Sequence, residues 1–194
     1  MEYFSTDELP ADHKAAAWSE MLGNDVARGD ISPRNSADFD GSLKRISLGP
    51  MVLSVIRCSA VKVRCAPDAA RTLHASYLLF MPQDRGFELS LNGRSGLWVN
   101  KGELCLVDLA RPHELMQHES AQSFFLRFPK RHLERLLPRA AHFTGQVITS
   151  DLAAARILQS FVRELVREIS QSNAAELPYF VCQSMLNLIA GVYA

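Results

Sequence analysis

No apolar run in this 194-residue chain reaches the roughly 20 residues needed to span a bilayer. The opening Met1-Glu2-Tyr3-Phe4-Ser5-Thr6 has neither the basic nor the apolar region of a signal peptide. No charge excess exists: 21 basic residues balance 21 acidic ones, whereas a free-standing nucleic-acid binder carries a basic surplus or stripe. Direct DNA or membrane binding by this stretch is therefore not expected. Four cysteines, Cys58, Cys65, Cys105 and Cys182, show no Cys-x-x-Cys spacing and sit in apolar segments. They read as buried free thiols in a reducing cytoplasm. No Gly-x-Ser-x-Gly turn and no phosphate-cradling glycine loop is present, which removes the common hydrolase and nucleotide-binding signatures.

What the chain has instead is 47% hydrophobic residues, enough for one domain with a sizeable core. From Phe87 to Phe128, short Leu-, Val- and Phe-rich runs alternate with turn clusters at Asn92-Gly93, Asn100-Lys101-Gly102, Ala110-Arg111-Pro112 and Glu119-Ser120. That punctuation predicts consecutive antiparallel strands. Asn92-Gly93 is the sharpest signal, because a tight hairpin turn requires positive φ. About eight strands are predicted between Ser42 and Phe128, beginning with LKRISLG and MVLSVIRCSAVKV. The run YLLFM (77–81) is apolar without alternation, as in a strand covered on both faces. With no helices between them, these strands favour a barrel or sandwich.

Helical periodicity flanks this region. Residues 5–23 are predicted as a helix, with Ser5, Thr6 and Asp7 as caps and an apolar stripe of Ala15, Trp18, Met21 and Leu22. Residues 24–41 read as a polar arm with at most one short strand. KRHLERLLP, after Pro129, forms a short basic helix. Ser150 or Asp151 caps an amphipathic helix with Ala154, Ala155, Leu158, Phe161, Val162, Leu165 and Ile169 on one side. The last helix, within Leu177–Ala194, has no charge and is apolar around most of its circumference. Its start is open between an Asn173/Glu176 capping box and Pro178 as a first-turn residue. A helix apolar nearly all round must be covered twice. The preceding helix supplies one cover, and a second subunit is expected on the other through Leu165, Ile169, Met185, Leu186, Ile189 and Tyr193.

In GELCLVDLARPHEL a glycine-acid turn leads into an apolar strand, and a Pro-His pair opens the next. This resembles the second half of a cupin barrel. FSTDELPADHKAAAWSEMLG at the start, Gly102-Glu103, Val107-Asp108, Arg111-Pro112 and then FLRFPKRHLERLLP follow in an order that resembles the N-terminal effector-binding domain of AraC-type transcriptional regulators. The likeness runs from Phe4 to the end. It implies an α+β, mainly β fold: a cupin-like antiparallel barrel (jelly roll) over 42–129, an N-terminal helix and arm over 1–41, and an antiparallel helix pair within 130–194. All three segments belong to one compact domain. It further implies a cytoplasmic, bacterial ligand-sensing and homodimerising module. DNA is contacted only through a C-terminal helix-turn-helix domain that the stretch up to Ala194 does not include, so the chain is expected to be part of a longer regulator.

The competing reading is a small cupin enzyme, an isomerase or metal-dependent oxygenase. Metal-binding cupins place a His-x-His pair and a Glu on one hairpin and a further histidine later. Here His113 corresponds to the late histidine, but Phe87–Val99 contains none, and His74, His118 and Cys65 have no matching spacing. No metal, no cofactor and no catalysis are expected. Asp108 reads as a turn-capping carboxylate. The expected ligand site combines His113, two arginines amid apolar strand residues, Arg57 and Arg127, and the aromatic walls Tyr77, Trp98 and Phe125. Alternation puts Arg57 on the face of Leu53 and Val55, and Arg127 on that of Phe125. An inward guanidinium needs a partner, so a small-molecule effector carrying an acidic or strongly hydrogen-bonding group is expected.

Overall fold

A computed structural model describes residues 2–23, 29–36, 38–65, 73, 75–171 and 179–194. Twelve strands, four α-helices and one 3-10 helix (Ala140–Phe143) make up the described chain: β1 (Glu2–Ser5), α1 (Ala11–Gly23), β2 (Gly29–Pro33), β3 (Gly41–Leu48), β4 (Met51–Cys58), β5 (Val61–Cys65), β6 (Ser76–Pro82), β7 (Phe87–Leu91), β8 (Arg94–Val99), β9 (Leu104–Asp108), β10 (His113–Gln117), β11 (Ala121–Pro129), α2 (Lys130–Glu134), β12 (Val147–Ile148), α3 (Ala153–Gln171) and α4 (Tyr179–Tyr193). The strands form a seven-stranded sheet in the order β1-β3-β4-β11-β6-β9-β12 and a five-stranded sheet in the order β2-β5-β10-β7-β8. The cupin-like, mainly β architecture is as expected. The barrel, however, is not closed: no ladder among the described residues joins the two sheets, which pack as a sandwich with open edges.

The local signals explain much of this. Asn92 and Gly93 both have positive φ, 52° and 77°, as the two-residue turn between β7 and β8 requires. YLLFM lies in β6, buried from end to end between β11 and β9. MVLSVIRCSAVKV breaks at Ser59-Ala60, where the chain leaves one sheet (β4) and enters the other (β5). The first helix starts at Ala11 rather than Ser5, because Glu2–Ser5 pairs with β3 instead. Thr6 is not a helix cap; its Oγ1 accepts from the Gly41 N–H at 2.8 Å, tying the strand end to β3.

Two apolar cores result. One lies between the sheets and holds Leu43, Ile56, Leu78, Phe80, Phe87, Leu115 and Phe125, closed at one side by Trp18 and Leu22 of α1. The other lies between the outer face of the seven-stranded sheet and helices α2, α3 and α4. Leu165, Ile169, Met185, Leu186, Ile189 and Tyr193, expected at a subunit interface, all sit inside this second core, none more than 9% exposed. The correction has a simple cause: α4 is covered on one side by the sheet and on others by α3 and α2, all from its own chain. On α3 the buried positions Ala155, Leu158, Val162, Leu165 and Ile169 follow the predicted stripe, with Ala154 and Phe161 half-buried beside it. Asn173, Glu176 and Pro178 lie outside the described residues.

Candidate functional site

Alternation along each strand decides which side chains face the space between the sheets. On β11 the odd positions Ala121, Ser123, Phe125 and Arg127 face inward, and Phe124, Leu126 and Phe128 face the helices. On β4 the parity is reversed: Ile56 and Cys58 face inward, while Met51, Leu53 and Val55 face the helices. Arg57 therefore shares the face of Leu53 and Val55, as expected, but that face is the outer one. The strand outruns the helices there, leaving Arg57 exposed, bonded to Asp84 Oδ2 at 3.2 Å and Gln122 Oε1 at 3.5 Å.

The six expected ligand contacts are not brought together. Phe125 faces inward, tilted edge-on to Phe80 with ring centroids 5.2 Å apart. Arg127 shares that face but is half-buried two residues further along. Tyr77 points to the helices, where its hydroxyl donates to Glu134 Oε1 at 3.0 Å and burial pushes its pKa up. Trp98 lies on the edge strand β8, 49% exposed and stacked on His118 with centroids 5.6 Å apart.

His113 is buried on the inward face of β10 with Leu115 and Gln117, and its Nδ1 lies 3.0 Å from the Arg111 carbonyl oxygen. Desolvation holds its pKa below the ordinary 6.5, against the smaller opposing effects of the Arg111 carbonyl and Asp108. The folded imidazole thus resists a proton that the unfolded one takes up near 6.5. Stability should be unaffected by this group above that pH and fall as pH drops below it, by up to about 1.4 kcal/mol per pH unit. His132, also lowered, adds a slope of the same sign. In His113→Gln the urea midpoint should change less between pH 6.5 and 5 than in the parent; an unchanged slope would assign the effect elsewhere.

The structure instead assembles an apolar cavity between the sheets, of about 40 Å³. Its walls are Leu22 from α1, Ile56 and Cys58 from β4, Val61 and Val63 from β5, Phe80 from β6, Leu115 and Gln117 from β10, and Phe125 from β11. No charged residue lines it among the described residues, so an acidic effector held by Arg57 and Arg127 does not suit this cavity. The polar group is Gln117, whose Nε2 donates to the Cys58 and Ser59 carbonyls at 2.8 and 3.2 Å. Ser123, buried on the same inward face opposite Ile56, has a hydroxyl without a hydrogen-bond partner among the described residues. Gln117 was detectable in sequence: in HELMQ it shares the face of His113 and Leu115, and a polar residue there needs a reason to be inside.

Burial pushes the Cys58, Cys65 and Cys105 thiols up to about 12, so they are not held as thiolates. Among the described residues no group of three or more His, Cys, Asp or Glu side chains is placed to hold a metal; His74 lies outside them. Nor is any described helix long and apolar enough to cross a membrane. Asp108 caps its turn as expected, accepting from the Ala110 N–H at 2.8 Å, and it also holds Lys130 at 2.5 Å.

In structural comparison, the AraC-like transcriptional activator CuxR superposes on the whole chain with a TM-score of 0.82 at 16% identity, the match covering 70% of CuxR. That likeness establishes the fold. Weaker similarity extends to the EutQ protein of Clostridium difficile (TM-score 0.38, 10% identity, 48% of this chain and 71% of that one). KdgF from Halomonas sp. is comparable (TM-score 0.37, 13% identity, 54% and 89%). No curated protein matches in sequence. The family model of the AraC-binding-like domain matches residues 18–192, from the Trp18 that seals the sandwich to the end of α4, and the chain belongs to that family.

Proposed function

We propose that this chain is the effector-sensing domain of an AraC-type transcription regulator of the bacterial cytoplasm, with its effector taken up between the two sheets. The observation that carries the reading is the uncharged cavity, walled by both sheets and closed by Leu22 of α1. Ligand sites are mostly apolar with a few placed polar groups, here Gln117. A drug-sized molecule needs about 300 Å³ or more. At about 40 Å³ the cavity accommodates it only if a wall moves. Among the described lining residues Leu22 is the one outside the strands, so α1 is the element that yields. Effector binding is thereby coupled to the position of α1, which gives the two arrangements that regulation requires. The four unpaired thiols fit a reducing compartment.

The expected effector is neutral and largely apolar, with one hydrogen-bonding group. Mass spectrometry of solvent extracts should find such a molecule bound to the protein and absent from a folded Leu115→Trp variant, in which the indole fills the cavity. Retention of the same molecule by the filled variant would place the effector elsewhere. The homodimer belongs to the same proposal, on a new surface: Ile157 of α3 is 57% exposed and Phe180 of α4 is 67% exposed, outside the core that absorbs the six residues first assigned to it. Light scattering should show a dimer that Ile157→Lys with Phe180→Glu converts to a monomer. A parent that is monomeric at tens of micromolar, roughly where stable interfaces persist, would remove dimerisation from the proposal.

A further inference from the structure

A second concavity lies on the opposite side of the sandwich from α1, a groove of about 800 Å³ along the open edge where β8 and β12 end the two sheets. One wall is the β7–β8 hairpin, with Asn92, Arg94 and Ser95; the other is the turn before β12, with His142 and Thr144, and Arg111 enters from the β9–β10 turn. The Arg94 side chain is exposed, and its guanidinium makes no ion pair or hydrogen bond with any described residue. The Arg111 guanidinium makes one long contact with the described residues, Nε to Asp108 Oδ2 at 3.8 Å, with 56% of the side chain exposed. Asp108 is already served by Lys130 and the Ala110 N–H, so most of the Arg111 guanidinium donors face the groove uncommitted.

Charge is what sets the groove apart. In a chain with 21 basic and 21 acidic residues, its described lining holds two arginines and a histidine but no carboxylate. We propose that it is a binding site for a small dianion, one oxyanion group held by Arg94 and the other by Arg111. A guanidinium forks onto carboxylate and phosphate oxygens alike, and a concave cationic surface concentrates anions. Asn92 and Ser95 supply neutral donors beside the arginines. A volume of this order suits a metabolite-sized ligand. The site is separate from the cavity between the sheets and stands or falls independently of it.

The probes are inorganic pyrophosphate and glutarate, titrated by calorimetry at constant ionic strength against chloride, which separates a phosphate from a dicarboxylate source. At least one should bind saturably. Arg94→Ala, which removes no side-chain hydrogen bond or ion pair among the described residues, should weaken it at least tenfold, Arg111→Ala similarly, and Arg94→Lys by less. Arg57→Ala, on the outer face of the seven-stranded sheet, should leave the affinity within twofold, as should the cavity-filling Leu115→Trp. The proposal is overturned by the absence of saturable binding beyond chloride, or by affinities within twofold of the parent in both Arg94→Ala and Arg111→Ala.

Discussion

Replacing Trp18 with alanine should lower the unfolding free energy by about 3–5 kcal/mol, the range for buried aromatic truncation. At roughly 2–4 °C per kcal/mol for a chain of this size, the melting temperature should fall by on the order of 10 °C. Trp18 is fully buried, stacked against Phe4 with centroids 6.3 Å apart and tilted against Phe39 at 5.7 Å. Its ring lies so close over Gly41 that a Cβ there would come within 2.7 Å of it. Glycine is thus required at position 41 by the indole above it, not by its own backbone. Gly41→Ala alone should cost about 1–3 kcal/mol through overpacking, and much less once Trp18 is alanine. The double-mutant cycle measures that coupling by urea denaturation. If Gly41→Ala costs the same in both backgrounds, the contact is not what constrains the glycine. Trp18→Phe should be the mildest change, because the indole N–H is buried without a partner among the described residues.

Asp108→Ala should destabilise by about 3 kcal/mol, because it strands a cation. Asp108 and Lys130 have side chains only 10% and 20% exposed, and Lys130 also lies over the Tyr77 ring, 5.4 Å from its centroid. Removing the carboxylate leaves the ammonium half-buried with no ion-pair partner among the described residues and deprives the Ala110 N–H of its acceptor. Lys130 opens α2, and Tyr77 reaches Glu134 at its other end, so hydrogen exchange should show α2 losing protection first. Asp108→Ala with Lys130→Met, which removes both charges, should recover much of the loss. A double variant as unstable as the sum of the single changes would mean that the pair is incidental.

Local geometry was legible in the sequence, and allegiance between elements was not. Asn92-Gly93 could be assigned because a tight turn constrains φ at those residues alone, whatever surrounds them. The unbroken YLLFM announced a doubly covered strand, and the α3 stripe announced its buried face. Arg57 shows where such reasoning stops. Alternation correctly grouped it with Leu53 and Val55, yet a period of two separates the faces of a strand without saying which faces the other sheet. The same gap misplaced the six residues of α3 and α4. An uncharged helix reveals that it is covered on several sides, and identifying the cover requires the sheet order. Closure of the barrel was likewise beyond local pattern, since it depends on whether β1 meets β2 and β8 meets β12.

The pairing of β4 with β11 has a consequence for how the protein is made. Cys58 pairs with Ala121 and Val52 with Arg127, so the middle of the seven-stranded sheet joins strands from opposite halves of the β region. A ribosome adding about 5–20 residues per second needs roughly 3–15 s to deliver β11 after β4 has been made. Until then β4 has its neighbour β3 on one side and nothing on the other, and β6 lacks its link to the hairpin. Nascent chains that stop short of Ala121 therefore display two apolar strand edges at once, the condition under which strands recruit one another across chains. The fold is consequently most vulnerable to aggregation during synthesis, and slowing translation between β4 and β11 should lower the soluble yield while leaving the stability of the finished protein untouched.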